Sequence, residues 1–264
     1  MSVNSLERYE AWFADHVEAY RKRAGAHQEM IDRKVRHTMR VLGHVREIRR
    51  ECDCDAGLGH AMEIVAILHD VGRFPQLVDR GTYDDNHGYN HAEEGVRLLK
   101  ETDLLDALGV ATRELVLSAV NYHNCAILPG QLDIDTRLVL EVVRDADKLD
   151  AVRNNLKYLN PAAPHGKALK SGLSWDDTAV SPLVLDLAMK RQLIPFKTIK
   201  WSNDFILFLC CWLYDLHFHY SFMYLKQSGS FEALLARLPD NETFAPIMEQ
   251  LRGDLEWIAA RSQA

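Results

Sequence analysis

An all-α fold, a helical bundle with a C-terminal helical extension, follows from three features of the sequence. Apolar residues recur at steps of three and four along most of the chain, the period of one buried helix face. No apolar and polar alternation persists long enough to build a sheet. The 264 residues are 47% hydrophobic, enough for one large core or for one domain with an appendage. No internal repeat or low-complexity tract interrupts the pattern.

The elements follow in order. Leu6, Tyr9, Phe13, Val17 and Tyr20 predict a first helix, and Asn4 with Glu7 resembles a capping pair. In "DRKVRHTMRVLGHVREIRREC" one stripe carries Val35, Met39, Leu42 and Val45, and an adjacent one carries His37, Val41, His44 and Ile48. His37 therefore borders the expected buried face. "GLGHAMEIVAILHDVGRFPQ" is apolar enough to be a central helix, with Gly72 and then Pro75 marking its end, so His69 and Asp70 fall in its last turn. "DRGTYDDNHGYNH" reads as a loop. Asn90 and Glu93 then cap "HAEEGVRLLKET", which places His91 at a helix start. "TRELVLSAVNYHNC" delivers His123 near the end of a further helix.

From Thr136 to about Tyr158 the residues Leu138, Val142, Leu149, Val152 and Leu156 predict a long helix, and Val143, Asp147, Asp150 and Asn154 lie on its neighbouring stripe. Polar groups that close to a core need partners. A shift to Pro, Gly and Lys in "NPAAPHGKALKSG" divides residues 1–162 from a helical extension over 163–264, expected to pack on the core. "FILFLCCWLYDLHF" is broken by Asp215 and His217 short of the ~20 apolar residues that a bilayer span needs, and reads as a buried helix.

Composition narrows the function. A formal net charge of -7 without a long Lys/Arg run argues against a polymeric nucleic-acid partner, and an anionic substrate would need local positive charge. Five cysteines, an odd number, fit neither a disulfide framework nor a paired zinc site. With no basic segment leading into an apolar one near the N-terminus, a cytoplasmic protein with reduced thiols and no membrane partner is expected. Oligomeric state stays open.

The chemistry lies in residues that recur at helix ends and on polar stripes: His37, His69, Asp70, His91, His123 and Asp147. Imidazole and carboxylate together suit Fe, Mn, Zn, Ni or Co rather than Ca. An adjacent His-Asp pair at a helix end can splay so that one carboxylate bridges two ions. His44, His60, His165 and His219 are read as ordinary histidines, and Asp204 and Asp215 as residues paired with Lys or Arg. Asp145 and Asp150 are read as capping, pairing with Arg144 or Arg153, or supporting ligands from behind.

His37, then His69-Asp70 in "ILHDVGRF", then Asp147 in "DADKLDAV" resembles the HD superfamily of metal-dependent phosphohydrolases, whose pattern is H…HD…D on a helical bundle. The resemblance covers about residues 30 to 158. "HAEEG" and "NYHN" look like the intervening histidine motifs of members that hold two metals. The resemblance implies one or two divalent ions. His37, His69, Asp70 and Asp147 would hold the first, Asp70 would bridge, and His91 with His123 would complete the second. Asp147 rather than Asp145 is the last ligand because the family motif runs Ala-Asp-x-Leu, here Ala146 to Leu149. "NYHNCAILPGQ" lacks the paired histidine and glutamate before Gly-Tyr-Pro of the HD-GYP subgroup.

The implied activity is hydrolysis of a nucleotide or other small phosphoester by a metal-activated water. Asp70 would also orient the nucleophile, Arg73 and Lys148 are candidates to hold phosphate oxygens, and His87 or His123 to protonate a leaving group. Two other readings remain at this point: a di-iron oxygenase on the same ligands, and a non-catalytic module that senses a nucleotide.

Overall fold

The computed structural model describes residues 5–85, 88–157, 159 and 173–262. Helices dominate, and no strand occurs among the described residues beyond an isolated bridge between Ser174 and Trp201. The chain divides into two compact units, Met1–Asp147 and Lys148–Ala264. The expected division at 162/163 lies outside the described residues, as do Asn4, His87 and His165.

In the first unit, α1 (Leu6–Arg21) buries Tyr9, Phe13 and Val17, one side chain per turn. Its N-cap is Ser5, which makes no side-chain capping bond. The second helix, α2 (Gln28–Ile48), buries Ile31, His37, Thr38, Val41, Leu42, His44, Val45 and Ile48. The histidine-bearing stripe therefore faces inward together with Leu42 and Val45 of the adjacent stripe, whose Met39 is 44% exposed. Period alone fixes how a helix is striped; which stripe is covered depends on its neighbour, here α3 (Ala56–Leu68). Ala61, Met62 and every residue from Ile64 to Leu68 are buried in α3, which packs against α1, α2 and α6. A helix apolar all round belongs in the middle of a core. Asp55 caps its start by accepting from the Leu58 amide at 2.7 Å.

The segment 57–76, expected to hold one helix ended by Gly72 and Pro75, instead holds parts of two. Helix α3 ends at Leu68 with His69 as its C-cap, and α4 (Arg73–Arg80) begins three residues after Asp70. Pro75 lies in the first turn of α4, where a proline's missing N–H has no helical partner to lose, so it starts a helix rather than ending one. The loop is correspondingly shorter. Gly81, at φ 68°, closes α4 in the left-handed conformation that favours glycine.

Asn90 caps α5 (His91–Lys100) by accepting from the Ala92 amide at 3.0 Å, and its own amide donates to Glu93 at 3.1 Å. Helix α6 (Val110–Tyr122) packs on α5 and α3 and ends at His123. Helix α7 (Ile134–Leu156) carries the chain out of the first unit and into the second.

The second unit has its own core, including Phe205, Leu209, Leu213, Phe222, Phe231 and Leu251. The apolar segment expected as a buried helix forms Ser202–Cys211 followed by a short 3-10 turn. Asp204 departs from expectation: its carboxylate accepts from the amides of Ser181, Lys200 and Trp201 and from the Ser181 hydroxyl, all within 3.1 Å. Asp215 does pair with a lysine, Lys148. All five cysteines are free thiols, with Cys210 and Cys211 buried. No helix among the described residues is long and apolar enough to cross a membrane.

Candidate metal centre

Asp70 is the hub. It sits between the end of α3 and the start of α4 with its side chain 4% exposed, and each carboxylate oxygen meets its own pair of imidazoles. Oδ2 lies 3.4 Å from His37 Nε2 and 3.1 Å from His69 Nε2. Oδ1 lies 3.3 Å from His91 Nε2 and 3.8 Å from His123 Nε2. Asp147 Oδ1 adds a further oxygen 3.1 Å from His37 Nε2. The ligand atoms of His37, His69 and Asp70 fall within 4.8 Å of one another, and so do those of Asp70, His91 and His123. The six histidines and aspartates singled out from the sequence therefore converge, around two positions that share one carboxylate.

The close approach depends on Gly72. A Cβ there would stand 2.1 Å from the His91 carbonyl oxygen and 2.8 Å from the Gly95 amide nitrogen. Absence of a side chain lets the turn after Asp70 touch the start of α5, which brings His91 over Oδ1. The Tyr89 hydroxyl fastens the same turn by donating to the Gly72 carbonyl at 2.9 Å.

Proton positions follow from hydrogen-bond partners that can only accept. His69 Nδ1 is 2.8 Å from the Ala66 carbonyl, and His123 Nδ1 is 2.7 Å from the Val120 carbonyl. His91 Nδ1 is 2.6 Å from Asp85 Oδ2. Each therefore carries its proton on Nδ1 and turns the Nε2 lone pair toward Asp70. His91 and His123 Nε2 face each other at 3.0 Å. His69 Nε2 is buried without a hydrogen-bond donor. Lone pairs and carboxylate oxygens packed this closely repel unless a cation lies among them. By donor chemistry the residues fit one or two divalent ions of the Fe, Mn, Zn, Ni and Co group.

The electrostatics agree. Burial pushes the Asp70 carboxyl up, but the Lys34 ammonium, first among its neighbours, together with the surrounding imidazoles outweighs it and holds it well below the usual carboxylate range. Burial likewise raises Asp147, and its hydrogen bond with His37 overcomes this and lowers it. Burial, with the Arg73 guanidinium nearby, pushes His91 down to about 3 against the pull of Asp85, so its imidazole is neutral and able to ligate.

Arg73 is close but committed. Its Nη1 donates to the Tyr83 carbonyl, Gln76 Oε1 and Asp85 Oδ1 at 2.5, 2.9 and 3.0 Å, and its Nε is 3.5 Å from Asp70 Oδ1. Lys148, within the second unit, donates to the Asp215 carbonyl at 2.8 Å and pairs with Asp215 Oδ2 at 2.6 Å.

Two participants were missed from the sequence. Lys34 forms an ion pair with Asp70 Oδ2. Its signal was present, since it precedes His37 by one helical turn and shares its face. Asp85 orients His91 and is itself held by Arg73 and by Gln76 Nε2 at 3.0 Å. It lies in a loop, where no period marks it.

Residues 35–152 match the family model described as HD domain, a stretch that contains all six ligand-type residues. No curated protein and no solved structure matches the chain.

Proposed function

The stretch 35–152 of this chain is an HD domain, and from that premise we propose that the protein is a metal-dependent phosphohydrolase acting on a nucleotide or another small phosphoester. The observation that carries the reading is the buried cluster of lone pairs around Asp70, whose two oxygens each face two imidazoles. Divalent ions held there would acidify a water molecule to make the nucleophile and would offset the charge developing on a phosphoryl oxygen. The remaining work falls to the chain. Asp85 fixes the His91 ring, the Ala66 and Val120 carbonyls fix the His69 and His123 rings, and these three Nε2 atoms are thereby preset before a substrate arrives. Asp147 is 32% exposed and Lys34 18%, against 5% or less for the other ligand side chains. Lys34 and Asp147 thus mark the more accessible side of the centre, the side from which a substrate would approach.

The test combines metal analysis of the native protein with turnover of a broad phosphoester panel at several divalent metals, beside Asp147→Ala. Metal in the wild type with hydrolysis, and loss of both in the variant, is the expected result. A panel untouched at every metal removes the reading, and turnover that survives in Asp147→Ala removes the assigned centre. Iron with oxygen-dependent turnover would replace hydrolysis by oxygenation.

A further inference from the structure

We propose that Lys34 is the anion-binding residue of this centre: it rests on Asp70 when no ion is bound, is released when an ion takes Asp70, and then holds an oxyanion such as the phosphoryl group of the substrate. The proposal rests on the phosphohydrolase reading and names the residue that would give it selectivity for anions.

Its first support is geometric. The Lys34 ammonium is paired with Asp70 Oδ2, the same oxygen presented to His37 and His69. An ion bound by that oxygen and those imidazoles would compete with the ammonium for one lone-pair region, and two cations around one carboxylate oxygen repel. Lys34 must then withdraw. Being on α2 one turn before His37, it cannot withdraw far, and its partly exposed side chain leads toward the open side of the centre.

The second support comes from the two cations that the sequence nominated to hold phosphate oxygens. Arg73 is tied to Tyr83, Gln76 and Asp85, so moving it would undo the support of His91. Lys148 is tied to Asp215. An ammonium on a flexible four-carbon stem, with three rotatable donors, can exchange one oxyanion for another at little cost. In a chain of net charge -7, such a local cation is what an anionic substrate needs beside the metal.

The experiment uses the full chain, stripped of metal, and titrates Mn2+ and then inorganic phosphate into wild type, Lys34→Met and Lys34→Arg. Removing the competing ammonium should make Lys34→Met bind Mn2+ several-fold more tightly. Losing a charge-assisted contact should make its Mn2+-loaded form bind phosphate about tenfold or more weakly. Lys34→Arg should keep phosphate binding within a few-fold of wild type. A lysine that merely buttresses Asp70 would give the opposite, weaker Mn2+ binding in Lys34→Met. That result, or unchanged phosphate affinity, overturns the proposal.

A second measurement needs no variant. Acylation of the Lys34 amine in wild type, followed by peptide mass spectrometry, should speed up on Mn2+ loading and slow again when phosphate is added. A rate indifferent to Mn2+ overturns the proposal. A wild type that binds phosphate through Lys34 yet cleaves no phosphoester would end the hydrolase reading and leave Lys34 as an anion site. Cleavage with phosphate affinity unchanged in Lys34→Met would do the reverse.

Discussion

His91 shows how a single side chain is made ready for a metal. Burial keeps it neutral, Asp85 takes its Nδ1 proton as a hydrogen bond, and its Nε2 lone pair is left pointing inward. Asp85→Asn keeps the shape but offers Nδ1 an amide in place of a carboxylate. Metal affinity should fall by about 10- to 100-fold, the usual effect of losing an outer partner of a ligand histidine, as read by titration of the stripped protein. The same residue has a pH consequence. In the metal-free protein His91 titrates at about 3, whereas an unfolded imidazole titrates at about 6.5. Between those values the unfolded chain binds a proton that the fold does not, so unfolding free energy rises with pH. The depressed Asp70 carboxyl acts in the same direction below the ordinary aspartate value of about 3.9. Chemical denaturation of stripped protein should show stability falling steadily from about pH 6.5 downward. A flat profile between pH 6.5 and 4 would contradict a neutral buried His91.

Elements bring the ligands together, and the contact between α4 and α5 is the tightest instance. Gly72→Ala puts a methyl group into backbone atoms that cannot swing aside. We expect a loss of about 2 kcal/mol or more in unfolding free energy. Because the displaced segment begins with His91, bound metal should also drop, from two ions toward one if both positions fill. Equal stability and metal content in the alanine variant would show that α5 can shift freely. At this scale the sequence was legible wherever the helical period spoke. The ends of α5 and α6, with His91 and His123 on them, read directly from caps and apolar spacing. How far the inward face of α2 extends did not, because Val35 and Met39 are as apolar as Val41 and Ile48, and only the helices packed on α2 decide which of them is covered. Helix α4 was hidden because Gly72 and Pro75 read as a stop, although proline is equally at home in a first turn.

Across the whole molecule, the buried histidine and aspartate cluster is a cost to folding that ions bound there would offset. Several acceptors are buried together with Lys34 as the cation paired to Asp70 Oδ2, so the stripped protein should be markedly less stable than the loaded one. At a free Mn2+ concentration near a hundred times its Kd, binding to one position adds about 2.7 kcal/mol, and calorimetry should show a midpoint that climbs with Mn2+ and collapses with chelator. A midpoint indifferent to both would mean that the cluster holds no ion.

The sequence by itself determined the helical class, the residues able to ligate a metal, and their order along the chain, H…HD…D with two intervening histidines. Helical period, caps and residue chemistry are local, so they survive in one dimension. Only the tertiary structure decided that Asp70 offers a different oxygen to each histidine pair, that Lys34 rests on one of them, and that a loop aspartate backs His91. Those facts depend on segments far apart in sequence, such as His91 and His123, meeting at 3.0 Å. Long-range packing and a glycine's missing side chain set such meetings, and neither leaves a period in the sequence.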